Sequence, residues 1–131
     1  MKKCIVSLLC CLLSLLGVLG CNPDAPISVL IDPPKCSIVN VRKTDALWPR
    51  PATITITVKN SGDATAYDVE CSIELKSGST IVDEGLIYFG TLRSGESYAQ
   101  DASFWSISTH HDYATAEYQL YWYDSQGNYH D

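Results

Sequence analysis

The stretch "ATITITVKNSGDATAYDVECSIELK", residues 52–76, alternates twice. In its first half Ile54, Ile56 and Val58 point one way and Thr53, Thr55 and Thr57 the other, which is the two-residue period of a strand with one buried face. In its second half Tyr67, Val69, Cys71, Ile73 and Leu75 share one face, and Asp68, Glu70, Ser72 and Glu74 take the other. A slip of one residue would bury those four polar side chains, three of them charged, so the register is strongly specified. Asn60-Ser61-Gly62-Asp63 between the halves is turn chemistry. Two half-buried strands joined by a short polar turn make this an all-β chain.

Working outward, "CSIVNVR" supplies a strand before this pair, and Pro49 and Pro51 bracket Arg50 in the bend that leads into it. After the Ser77-Gly78-Ser79 turn come "TIVDEG" and "LIYFGTL", read as two short strands. The turn Arg93-Ser94-Gly95-Glu96 and the strand "SYAQDASFWSI" follow. In "ATAEYQLYWYD" the residues Ala116, Tyr118, Leu120 and Trp122 face the core, while Glu117, Gln119, Tyr121 and Tyr123 face away. The Ser125-Gln126-Gly127-Asn128 turn returns a short last strand, Tyr129 to Asp131. About seven strands with no helical period predict a single immunoglobulin-like antiparallel β-sandwich over residues 36–131.

The beginning of the chain has a different character. Lys2 and Lys3 precede a run from Ile5 to Gly20 with no charge, too short to cross roughly 30 Å of hydrocarbon comfortably and ending in small residues. Residues 1–20 therefore read as a cleaved signal peptide. Val18-Leu19-Gly20-Cys21 resembles the lipobox of bacterial lipoproteins, which implies diacylglycerol on the Cys21 thiol and a mature chain that starts there. Residues 21–35, with Pro23, Pro26, Pro33 and Pro34, cannot hold a helix and read as an extended stalk from membrane to domain. The expected location is the cell envelope, outside the cytoplasm, with the membrane as a partner through the lipid.

Without the signal the chain keeps seven basic residues against fifteen acidic ones, a formal charge of −8. Scattered acidity of this kind excludes nucleic acid, whose phosphates need clustered Lys and Arg. Once Cys21 is lipidated, two cysteines remain in the mature chain, Cys36 and Cys71. An even pair in an exported chain predicts a disulfide, which would restrain the unfolded chain by roughly 3–4 kcal/mol; the alternative is two buried free thiols.

The segments "ITITVKNSGDATAYDVECSIELKSGSTIV" and "LIYFGTLRSGESYAQDASF" resemble the FxLYD and CARDB-type families of extracytoplasmic immunoglobulin-like domains. The residues that carry the resemblance are Asn60, Gly62, Ala66, Val69, Leu92, Gly95, Glu96 and Ser97. It implies an envelope or surface module for adhesion, assembly or recognition without catalysis.

Candidate chemistry is sparse. His110-His111-Asp112 is the only cluster of catalytic residue types, and adjacent residues on a strand point to opposite faces, so a shared metal would need a loop there with His130 as a further ligand. A solvated polar loop is the simpler reading, and neither a metal nor another cofactor is expected. No strand-turn-helix nucleophile elbow or Gly-rich oxyanion turn is present, so no enzyme is expected. Tyr121 and Tyr123 stand out as rings on the polar face of their strand. Together with the loop of His110, His111 and Tyr113 they form the expected binding surface for an envelope or surface protein or a glycan. Ordinary cross-strand packing, for example on Trp105, is the competing account of the same rings. The second functional expectation is a structural or assembly subunit whose poorly covered sheet edge pairs within an envelope complex.

Overall fold

A computed structural model describes residues 31–131; the expected signal peptide, Cys21 and the stalk up to residue 30 lie outside the described residues. Seven strands follow one another: β1 (Cys36–Thr44), β2 (Ala52–Asn60), β3 (Ala66–Ser77), β4 (Thr80–Leu92), β5 (Ser97–Phe104), β6 (Thr115–Tyr123) and β7 (Tyr129–His130). They form two antiparallel sheets, β1-β2-β5 and β4-β3-β6-β7. This arrangement is consistent with an immunoglobulin-like sandwich.

The alternation in residues 52–58 is realised as read. Ile54, Ile56 and Val58 lie in the core, and across the sandwich they meet Val69, Cys71, Ile73 and Leu75 of β3 in the same buried cluster. Phe104 and Trp122 complete it from β5 and β6. Trp122 also donates from its indole nitrogen to the Pro34 carbonyl at 3.3 Å.

One end of the sandwich is organised by a single side chain. Asn60 is fully buried, yet all of its amide's bonding capacity is used. Its oxygen accepts from the Lys35 and Gly62 amides, each at 3.0 Å, and its nitrogen donates to the carbonyls of Ala64 at 2.8 Å and Leu92 at 3.0 Å. Its backbone adds bonds with Gly95 and Glu96. The incoming chain, the β2–β3 turn and the β4–β5 turn are thereby tied together. Gly62 belongs to this knot, because a Cβ there would run into the Pro33 carbonyl and the Lys35 amide. We refer to this as the Asn60 end. The far end carries the β1–β2 loop, the β3–β4 turn and the β5–β6 loop.

Four expectations change. "TIVDEG" and "LIYFGTL" are one strand, the 13-residue β4. Gly85 does not break it; its missing Cβ leaves room for the Phe104 ring, which would lie 3.0 Å from such an atom. Tyr67 is exposed and not in the core, because a β-bulge with Asp68 at φ 48° separates buried Ala66 from buried Val69. The segment from Asp32 to Lys35 is docked on the domain through Ala64, Asn60 and Ser61, so the last residues of the expected stalk belong to the fold.

The fourth correction concerns the cysteines. Cys36 and Cys71 are buried free thiols, not a disulfide. Both are buried in the core, Cys36 from the β1-β2-β5 sheet and Cys71 from the β4-β3-β6-β7 sheet. Cys36 sits where β1 packs on β6, beside Leu120 and Trp122, whereas Cys71 lies one strand further in, between Leu120 of β6 and Ile87 of β4. The two cysteines come from opposite sheets of the sandwich, and pointing into a shared core does not by itself bring two sulfurs to bonding distance.

Candidate functional site

The outer face of the β4-β3-β6-β7 sheet collects tyrosines from four strands. Register places Tyr88, Glu70 and Tyr121 in one row across β4, β3 and β6, and Tyr67, Tyr123 and Tyr129 in the next across β3, β6 and β7. Five of the chain's eight tyrosines therefore share one face. Tyr88 and Tyr129 are about half exposed, at 53% and 54%, whereas Tyr121 is more covered. Tyr129 holds the group together: its ring stacks on Tyr121 at 6.2 Å and meets Tyr123 edge-on at 5.8 Å.

Acidic groups edge this face. The Tyr88 hydroxyl donates to Asp68 at 2.8 Å, and that bond to a carboxylate raises the Tyr88 pKa. Desolvation, then the nearby Asp131, raises that of Tyr129. Asp124 accepts from the Asn128 side chain at 2.8 Å and from the backbone amides of Asn128 and Gln126, contacts His130 at 3.3 Å, and is held far below the usual carboxylate range. Between these groups lies an open hollow of about 540 Å³ lined by Tyr67, Asp68, Tyr123, Asp124, Ser125 and Gly127. Such a face offers flat rings for stacking and ionised acceptors for hydroxyl or cationic groups.

The remaining candidates are elsewhere. His110 is fixed at the far end, where both its backbone amide and its Nδ1 lie 2.8 Å from Asp45, and the His111 ring packs against it at 3.9 Å. Asp112 caps its own loop by accepting from the Ser108 and Thr109 amides. Tyr113 is buried, with Lys43 lying 5.0 Å from its ring centre. From Thr115 to Tyr123, β6 rises about 26 Å, so the histidine loop and the Tyr121/Tyr123 face are separate surfaces. His130 stands apart from His110 and Asp112 as well, stacked on Trp122 and bonded to Asp124. No group of three His, Cys, Asp or Glu side chains placed to hold a metal occurs among the described residues.

Sequence reading missed three members of the tyrosine face. Tyr67 was hidden by the bulge, Tyr88 by the division of β4 into two strands, and Tyr129 by the shortness of β7. It also missed the far end, where Trp48 is 91% exposed on the Leu47–Arg50 turn and Trp105 is 73% exposed after β5. Trp105 follows β5 of the other sheet, and the aromatic partner of both Tyr121 and Tyr123 is Tyr129, not Trp105. No family model matches the chain, and neither the curated proteins nor the solved structures yield a match.

Proposed function

We propose that this chain is a non-catalytic recognition module of the cell envelope, anchored through a lipid on Cys21, whose tyrosine face binds a protein or a glycan. The clustering of Tyr67, Tyr88, Tyr121, Tyr123 and Tyr129 on one open sheet face is the observation that carries the reading. Tyrosine supplies wide, stiff contact area at small entropic cost, which is why recognition surfaces concentrate it. The FxLYD/CARDB-like turn residues around Asn60 and Gly95 agree with an extracytoplasmic module of this kind, and the lipobox-like Val18-Leu19-Gly20-Cys21 supports the anchor.

Glycan arrays and capture from solubilised envelope, run with the mature chain, test the face directly. Replacing Tyr88 and Tyr129 together with alanine should weaken capture at least about tenfold while the circular dichroism spectrum stays unchanged. Undiminished capture by a folded double variant would remove the face from consideration.

A further inference from the structure

The side of the sandwich between β1 and β6 is open. On its outer edge β6 pairs with β7 only at Trp122 and Tyr123, so among the described residues the seven from Thr115 to Tyr121 have no hydrogen-bonded strand partner on that side, although β1 packs near them. Facing them is β1, which pairs only with β2. Between the two edges runs a hollow of about 400 Å³, lined on the β1 side by Cys36, Ser37 and Ile38, on the β6 side by Tyr118, Gln119, Leu120 and Trp122, and by Asp131. Ile38, Tyr118 and Leu120 are apolar core neighbours left only partly covered. The Tyr118 hydroxyl is shut off from solvent without a hydrogen-bond partner among the described residues.

We propose that this seam is a strand-acceptor site, filled by an extended segment donated by another polypeptide. The occupant's chemistry follows from what the seam leaves unmet. Alternate N–H and C=O groups of the bare β6 edge need a backbone partner, which only an extended strand supplies along its whole length. The inward residues of the seam, Ile38, Tyr118, Leu120 and Trp122, are apolar or aromatic, so the side chains of that strand that face them, every second one, must be apolar to cover them.

Direction is fixed by two features. β7 already holds the first positions of this edge antiparallel to β6, and an added strand continues its line past His130. Charge agrees. At the Asn60 end the seam is bordered by the Asp131 carboxylate, and at the far end by Lys43, which lies over Tyr113 two residues before β6 begins. The donated strand therefore runs from a basic N-terminal end at Asp131 to an acidic C-terminal end at Lys43, with about seven residues between. This site is on the side of the sandwich and stands whether or not the tyrosine face binds anything.

The test uses the full mature chain and a synthetic peptide of alternating Val and Thr, with Lys at its N-terminus and Glu at its C-terminus. Hydrogen exchange read by NMR should show alternate amides between Thr115 and Tyr121 becoming protected as the peptide is added. A peptide with the two end charges exchanged should bind about tenfold more weakly, and a Lys43→Glu, Asp131→Lys double variant should reverse that preference. Both positions are exposed, so the variant keeps its core. β6 amides unmoved at about 1 mM peptide would overturn the proposal. Protection already present without peptide also overturns it: concentration-dependent protection identifies a second copy as the occupant, and concentration-independent protection a segment of the same chain.

Discussion

Asn60 shows how one side chain closes one end of a sandwich. Four backbone groups from three segments depend on its amide, and none has a nearby substitute within the buried knot. Asn60→Ala strands two donors and two acceptors, so chemical unfolding should show a loss of at least about 3 kcal/mol. A cost below about 1 kcal/mol would mean that water replaces the amide easily. The sequence carried this residue only as half of an Asn-x-Gly turn, because a turn motif does not say which carbonyls the side chain reaches across the fold.

The two thiols make a second argument at the same scale. Burial raises both Cys36 and Cys71 to about 11, which favours the neutral thiol in the folded chain. A folded pKa above the unfolded value of about 8.5 contributes stability that is complete below that value and disappears as pH rises toward 11. Alkylation at pH 8 should accordingly leave both cysteines unmodified in the native chain and label both in denaturant, and stability should decline on the alkaline side. Rapid labelling of either thiol in native protein at pH 8 would contradict the burial on which this rests.

At the scale of elements, periodicity was legible wherever a strand is regular and failed wherever a local irregularity changes its phase. β2 and β6 alternate without interruption, and their inward residues are those the pattern marks. In β3 the same pattern misplaces Tyr67, because the bulge at Asp68 consumes a residue and turns the ring outward. In β4 a glycine that reads as a break is instead a packing allowance for Phe104. Neither feature has a period, so neither is visible as one. The β6 register is open to a clean check by substitution. Trp122→Ala, which empties part of the core and removes the bond to Pro34, should cost about 3–5 kcal/mol. Tyr123→Ala, one residue on and outside the core, should cost about 1 kcal/mol or less. The reverse order would shift the strand by one residue and dissolve the tyrosine face.

At the scale of the molecule, the charge balance bears on the proposed lipid anchor. Without residues 1–20 the formal charge is −8, which an anionic lipid surface repels, and the aromatic face contributes Asp68, Glu70 and Asp124 to that repulsion. Under the proposed anchoring, membrane retention rests on the acyl chains alone. Each buried methylene contributes about 0.8 kcal/mol, and two chains or more hold where one exchanges. This gives the anchor proposal a consequence beyond simple attachment. Wild-type chain should stay in the membrane fraction at high salt, and Cys21→Ser should either block processing of the signal or yield a chain released completely at low salt as well as high. A correctly processed Cys21→Ser chain that remained membrane-bound at low salt and came off with added salt would place the attachment in the domain's own surface charges, against both the lipid anchor and the sign of the chain's net charge.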